Sequence, residues 1–287
     1  MEVKEYENAR IFLSDYETVL LERESVSQLV LYNAYQSLIH PLDEKKTFGA
    51  VLDEGRVILL FSNVMPYNLA VYAVQMENLT LASMALADFL ASNHIAMNGI
   101  NARYDICQSF MEQYKKYVNC SFTEKQGMDI MEIREVNEIK PVEGTQRLAL
   151  PEEAKLATEW MIEFQLEART SEMDYEAALE RANKLIREGK IYLYENIDQK
   201  VVTMAIAARK LVHGVAVTYV YTPQEYRGNG YAAANMYYLS KELLEQGYEF
   251  CTLFVDKKNP LSNRAYEKVG FKVLEDNYEY KVVPAEA

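Results

Sequence analysis

The chain has 287 residues, of which 49% are hydrophobic, and it carries a formal net charge of −13 at neutral pH. This length exceeds the roughly 100–200 residues of a single domain, so we expect two domains that each bury a core. The acidic charge argues against nucleic acid as a partner, because a basic face is needed to neutralise phosphates. The charged N-terminus and the lack of an apolar run of about 18 residues argue against a secreted or membrane protein and predict a cytoplasmic one.

The sequence of the first half predicts helices and strands in mixed order. Two helices are expected over residues 6–40, closed by Pro41, because a proline disfavours helix in the residue before it. Three antiparallel strands follow at 48–52, 57–61 and 69–74, with Asp53-Glu54-Gly55 as the first turn. Then come a helix at 79–90, a short strand at 95–100, a helix at 102–117 and a strand at 128–136.

The second half repeats this order after a polar connector at 137–145. A strand at 146–150 leads to helices at 152–167 and 171–188, the second of which opens at Ser171. Further strands are predicted at 191–194, 201–207, 215–221, 250–255 and 272–282. The matching order indicates two domains of similar architecture, at 1–140 and 141–287, although no sequence identity between the halves is evident.

Cysteine and histidine residues are few and lack the spacing of a metal site. They are Cys107, Cys120 and Cys251, and His40, His94 and His213. No Cys-x-x-Cys, His-Glu-x-x-His or Gly-x-Ser-x-Gly sequence is present. The sequence therefore predicts no metal site, no disulfide framework and no serine hydrolase.

A glycine turn joins the predicted strand at 215–221 to a helix that Gly247 ends. The turn reads Arg227-Gly228-Asn229-Gly230-Tyr231-Ala232. The first amides of a helix have no acceptor within the helix and lie at the positive end of its dipole. Because glycine adopts positive φ and has no Cβ, a pyrophosphate could approach several of these amides. A structural turn is the alternative, since tight strand-to-helix turns often use glycine.

A second motif follows the apolar strand at 250–255. It begins at Asn259-Pro260, continues through a helix that carries Tyr266, and ends in Gly270-Phe271. Together with Arg227-x-x-Gly230-x-Ala232, it resembles the GNAT superfamily of acetyl-CoA-dependent N-acyltransferases. Without that resemblance, Tyr266 would read as a core aromatic with a hydrogen-bonded hydroxyl.

The resemblance implies a mixed α/β fold and an acetyl-CoA site, and it covers residues 145–285. In the family, the central strand diverges from its neighbour, and its backbone pairs with the pantetheine arm. The cofactor-binding residues implied are Val220, Tyr221, Thr222, Arg227, Gly228, Asn229, Gly230, Tyr231, Ala232 and Asn259. Tyr266 is implied as the acid that protonates the leaving thiolate. No motif identifies a base. Tyr219, His213 and Glu172 are expected near the substrate cleft, but none of them is assigned this role.

The first half resembles the same family only in architecture. Its corresponding turn, Gln75-Met-Glu-Asn-Leu-Thr80, has no glycine or arginine and contains one acid, which would repel pyrophosphate. We therefore expect a degenerate GNAT-like half that shapes or covers the substrate site. The alternative is an unrelated α+β domain used for stability or dimer contact.

The sequence thus predicts transfer of an acetyl group from acetyl-CoA to an amine on a small molecule or a protein. Two alternatives are a CoA-binding sensor or scaffold without turnover, and a longer-chain acyltransferase of the glycine N-acyltransferase type. The acceptor and the oligomeric state stay open, with a homodimer as one option.

Overall fold

The computed structural model describes residues 1–39, 45–168 and 173–285. In chain order, its elements are β1 (Glu2–Tyr6), α1 (Ala9–Glu22), α2 (Glu24–Ile39), β2 (Lys46–Asp53), β3 (Arg56–Val64), β4 (Leu69–Ala73), α3 (Leu79–Ser92), β5 (Gly99–Ala102), α4 (Tyr104–Tyr114), β6 (Cys120–Ile133), β7 (Gly144–Leu148), α5 (Ala154–Ala168), α6 (Tyr175–Arg187), β8 (Ile191–Asn196), β9 (Val201–Lys210), β10 (Gly214–Tyr221), α7 (Tyr231–Glu245), β11 (Phe250–Asp256), α8 (Pro260–Val269) and β12 (Lys272–Pro284). His40, Pro41, Ser171 and Glu172 lie outside the described residues.

Contacts divide the chain into two compact units. Unit 1 consists of Met1–Met128 with Glu275–Ala287, and unit 2 consists of Asp129–Leu274. These bounds differ from the predicted division at 140, because β6 and β12 each contribute residues to both units. A local sequence pattern specifies a strand but not the sheet that the strand joins, so the polar connector was an unreliable marker of the boundary.

Unit 1 is a sheet covered by helices on both faces. Strands β1 to β4 are antiparallel, β5 is parallel to β4, and β12 adds antiparallel to β5. Successive side chains of a strand alternate between faces. Leu60 accordingly packs with α1 and α2, whereas Leu59 and Phe61 pack with α3 and α4.

Strand β1 is the element that the sequence analysis did not predict. Its residues Glu2–Tyr6 form the edge of the sheet, and only Tyr6 is buried. An edge strand with charged side chains avoids pairing with other molecules, and it lacks the apolar alternation by which a strand is recognised.

Unit 2 has the predicted mixed α/β architecture. Strands β7 to β10 are antiparallel, β11 is parallel to β10, and the end of β6 lies beside β11. Helices α5 and α6 pack on one face and α7 and α8 on the other. Helix α6 begins later than predicted, because the Asp174 carboxylate accepts hydrogen bonds from the amides of Glu176 and Ala177 and so caps it.

Among the described residues, no helix combines the length and apolar character that crossing a membrane requires. The same residues contain no cluster of three or more histidine, cysteine or carboxylate side chains that could hold a metal ion.

Candidate functional site

Strands β10 and β11 separate halfway along their length. They pair over three residues only, from Gly214 opposite Phe250 to Ala216 opposite Thr252. Both strands then continue, to Tyr221 and Asp256, without further pairing to each other. The separation leaves part of the β10 backbone open to an extended ligand that could pair with it as an added strand.

A β-bulge in β10 reverses the side-chain alternation at this separation. Thr218 is paired with Ile206, and Tyr221 is paired with Met204. Between these two pairs, β10 therefore contains one residue more than β9. As a result, Val217 packs in the core beneath α7 and α8 and Val220 packs against that core, whereas Tyr219 and Tyr221 pack beneath α5 and α6.

Tyr219 is the residue that absorbs the bulge. Its φ of +50° is uncommon for a residue with a side chain, and such strain persists only where the surroundings fix it. Here the Tyr219 hydroxyl accepts a hydrogen bond of 3.1 Å from Gln165 Nε2, and its ring lies 5.0 Å from that of Phe164. These contacts tie the Tyr219 side chain to α5.

The end of β10 is held by hydrogen bonds on its β9 side. Thr203 Oγ1 donates to the Tyr221 carbonyl at 2.8 Å and accepts from Thr222 Oγ1 at 2.9 Å. The Tyr221 carbonyl therefore points to β9. Successive residues of a strand direct their backbone groups to opposite edges, so we infer that the backbone groups of Val220 point into the separation.

The Tyr221 side chain anchors the same strand end to α5. Its hydroxyl donates to Glu163 Oε2 at 2.8 Å, and its ring lies 6.0 Å from that of Trp160. Burial, together with the hydrogen bond to Glu163, raises the pKa of Tyr221 above its ordinary value. The Tyr221 hydroxyl is therefore a fixed donor and stays protonated.

The glycine turn has the geometry of an anion site. Gly228 and Gly230 have φ values of +81° and +82°, and a Cβ placed on either would meet no atom within 4 Å. Gly230 immediately precedes α7, and no side chain caps the helix there. The space outside the two glycines and the uncapped amides of Tyr231 and Ala232 together fit a pyrophosphate.

The Arg227 and Asn229 side chains stabilise the turn itself. Arg227 Nε donates to the Thr222 carbonyl at 2.8 Å, and its Nη2 lies 2.7 Å from both carboxylate oxygens of Glu167. Asn229 Nδ2 donates to the carbonyls of Tyr226 and Arg227 at 3.0 and 3.3 Å. In this structure the arginine charge is therefore paired with a carboxylate.

The second motif lies on α8. The Asn259 side chain accepts a 3.2 Å hydrogen bond from the Ser262 amide and so caps this helix. Tyr266 is 6% exposed and packs in the cluster that contains Val217 and contacts Val220. No side chain or backbone group in the described ranges hydrogen-bonds its hydroxyl, and burial raises its pKa.

Within unit 2, Val220 packs against the cluster that contains Tyr266, and the glycine turn follows β10 directly before α7. The structure adds three residues that the sequence did not indicate. Thr203 is the polar residue in the otherwise apolar run at 201–207, and Glu163 and Glu167 are four residues apart on one helix face. His213 lies in the turn between β9 and β10, at the opposite end of β10 from Tyr221.

Unit 1 has the corresponding separation but not the corresponding turn. Strands β4 and β5 pair over only two residues. Helix α3 begins after Asn78, whose φ is +58° and whose side chain donates to Asp53 at 3.0 Å. Arg103 Nη1, after β5, lies 3.6 Å from Met76 Sδ, after β4. Side chains of unit 1 therefore occupy the space between these two strand ends.

Comparison with known proteins agrees with this geometry. Residues 154–271 match the model of the acetyltransferase (GNAT) family. A GNAT-family acetyltransferase from Colwellia psychrerythraea is 14% identical over 99% of this chain and 100% of its own, with a TM-score of 0.54. A GCN5-related N-acetyltransferase from Sphaerobacter thermophilus is 16% identical over 88% of this chain and 87% of its own, with a TM-score of 0.56.

A Drosophila protein is 11% identical over 99% of both chains, with a TM-score of 0.62. At these identities the three structures share the fold with the chain, including its first half. A comparison with curated proteins gives no match.

Proposed function

Residues 154–271 form a domain of the GNAT acetyltransferase family, and we propose that the protein transfers an acetyl group from acetyl-CoA to an amine. The amine attacks the thioester directly while both substrates are bound. The observation that carries the proposal is the uncapped start of α7 behind Gly228 and Gly230, beside a strand end that opens onto the same space.

The cofactor would lie along the open edge of β10. Val220, Tyr221 and Thr222 would bind the pantetheine arm, and the amides from Gly228 to Ala232 would bind the pyrophosphate. The protein supplies these amides already oriented, so little reorganisation is needed on binding. Asn259 would support the site through the cap of α8, and Arg227 through its bonds to Thr222 and Glu167.

The Val220 amide supports catalysis of the transfer step. As the amine attacks, negative charge develops on the thioester oxygen, and a fixed N–H donor in a dry site stabilises that charge. Val220 would direct its amide into the separation, because the Tyr221 carbonyl is bound on the opposite edge.

The Tyr266 hydroxyl would assist the departure of the thiolate. The C–N bond forms and the C–S bond breaks; the sulfur takes the electron pair of the C–S bond and a proton from the hydroxyl. The acetylated nitrogen releases one proton to water, and the Tyr266 phenolate takes one back from water, so no net proton is lost or gained. Burial keeps Tyr266 protonated at neutral pH, and its raised pKa makes full transfer more uphill than for an exposed tyrosine. Tyr266 therefore acts first as a hydrogen-bond donor to the developing thiolate.

The acceptor would be an amine of a small molecule or a protein, and the reaction would take place in the cytoplasm, where acetyl-CoA is available. A CoA sensor without turnover and a longer-chain acyltransferase remain the rival functions. Release of CoA thiol from acetyl-CoA in the presence of a panel of primary amines tests the proposal. Amine-dependent release supports it, whereas tight CoA binding without release on any amine favours the sensor.

A further inference from the structure

The buried Thr203 hydroxyl lies between two groups of the strand end that the proposed reaction uses. Thr203 is 0% exposed and belongs to β9, next to the pairing partner of Tyr221. It donates to the Tyr221 carbonyl and accepts from the Thr222 hydroxyl, at 2.8 and 2.9 Å. One side chain thus holds two successive residues of the chain that follows Val220.

These bonds compensate for pairing that β10 lacks. On the β11 side, pairing ends at Ala216, and on the β9 side the bulge interrupts the register between Thr218 and Tyr221. A strand end held on one edge only, after an interrupted ladder, would rotate about its axis. Rotation would turn the Val220 amide away from the separation, and catalysis is sensitive to displacements of about 1 Å.

We propose that Thr203 is a positioning residue that orients the Val220 amide toward the thioester carbonyl. This inference rests on the proposed function, because it assumes that acetyl-CoA lies along β10. Thr203 itself does not touch the substrate. It acts through Tyr221, which Glu163 holds from the α5 side.

A matched control exists in the same unit. Thr252 is also 0% exposed, and its hydroxyl donates to a backbone carbonyl, that of Met131, at 2.9 Å. Thr203→Val and Thr252→Val therefore remove the same kind of buried hydrogen bond. Both variants should lose thermal stability, but only the first loosens the end of β10. Thr203→Ser keeps the hydroxyl and should behave like the parent.

The test uses acetyl-CoA labelled with carbon-13 at the thioester carbonyl. A hydrogen bond from an amide lowers the carbonyl stretching frequency, so infrared difference spectra report that contact without any acceptor. We expect binding to lower the frequency in the parent, in Thr203→Ser and in Thr252→Val. Thr203→Val should lose more than half of this shift while its affinity for CoA, which has no acetyl carbonyl, stays within about twofold.

An unchanged shift in folded Thr203→Val would overturn the inference, as would an equal loss in Thr252→Val. A parent protein that binds acetyl-CoA without any shift would also overturn it, because Val220 would then not contact the carbonyl. If the parent binds neither CoA nor acetyl-CoA, the proposed function itself fails, and titration identifies that case.

A second variant covers the case in which Thr203→Val does not fold. Thr222→Val removes only the outer hydroxyl from a half-buried position. It should lose part of the shift, and an unchanged shift there would contradict the inference. Once an acceptor is known, Thr203→Val should lower kcat about tenfold with little change in the KM for acetyl-CoA, which is less than the ~10²–10³ lost when an oxyanion donor is removed.

Discussion

Replacing Tyr266 by phenylalanine separates its chemical role from its packing role. The ring stays in the cluster beneath α7 and α8, where its centroid lies 5.9 Å from that of Phe271. The hydroxyl that is lost has no hydrogen-bond partner within the described ranges. We therefore expect the free energy of unfolding to change by less than about 0.5 kcal/mol, below the ~0.5–1.5 kcal/mol of a hydrogen bond that is made.

The expected catalytic effect of this change is several times larger. Loss of a positioned proton donor costs a factor of about 10²–10⁴ in rate, or roughly 3–5 kcal/mol of transition-state stabilisation. Tyr266→Phe should therefore lower kcat strongly while the affinity for acetyl-CoA stays nearly constant. An acyl thioester whose thiol is more acidic should recover part of the loss, because its leaving group needs less help.

Tyr192→Phe is a matched control for Tyr266→Phe. Tyr192 is 5% exposed and belongs to the same cluster, but its hydroxyl donates to Glu242 at 3.4 Å. This variant should leave kcat unchanged and lower stability by at most about 1 kcal/mol. Thermal unfolding and steady-state thiol release measure the two effects. A kcat for Tyr266→Phe within about threefold of the parent would refute its role as proton donor.

Three further predictions concern structure. Asn259→Ala removes the cap of α8 and should lower the free energy of unfolding by about 1 kcal/mol, as thermal unfolding measures. Its affinity for CoA should stay within about twofold of the parent, and a larger loss would mean that Asn259 contacts the cofactor. Truncation after Leu274 removes the part of β12 that pairs with β5, together with the buried side chain of Tyr280. Amides of β5 and α4 should then exchange much faster with deuterium, and unchanged protection would contradict the assignment of this part of β12 to unit 1. Hydrogen bonds from Arg147 hold the pKa of Glu153 below its ordinary value. The parent should therefore be more stable than Glu153→Gln by a constant amount above about pH 4.5, and this difference should shrink as the pH falls further. Denaturant unfolding at several pH values measures the difference, and a constant value down to about pH 2 would contradict the prediction.

Elements with strong periodicity could be predicted from the sequence. The apolar strand at 250–255 and the helix that ends before Gly270 match the observed β11 and α8 within a residue. Their signals are local, because burial on both faces and a glycine after a helix are visible in a short stretch of sequence. The edge strand β1 and the division of β6 and β12 between the two units depend on partners distant in the chain, and no local pattern indicates them.

The candidate site was predictable where glycine marks the backbone and less so where side chains pair. Gly228 and Gly230 were expected to adopt positive φ, and both do. The bulge at Tyr219 contains no glycine that would mark it in the sequence. Its positive φ is held instead by contacts of the Tyr219 side chain with α5. The contact between Glu167 and Arg227 joins residues 60 positions apart, so the sequence indicated the arginine but not its carboxylate partner.

Isothermal titration of CoA into the parent and into Gly230→Val measures whether CoA binds at the start of α7. The φ of +82° at Gly230 disfavours a branched side chain, and the space outside it is where phosphate must lie. We expect the parent to bind CoA at sub-millimolar concentration and the folded variant to lose several kcal/mol of binding free energy. Unchanged affinity in folded Gly230→Val, or no binding by the parent, would show that CoA does not bind at the start of α7.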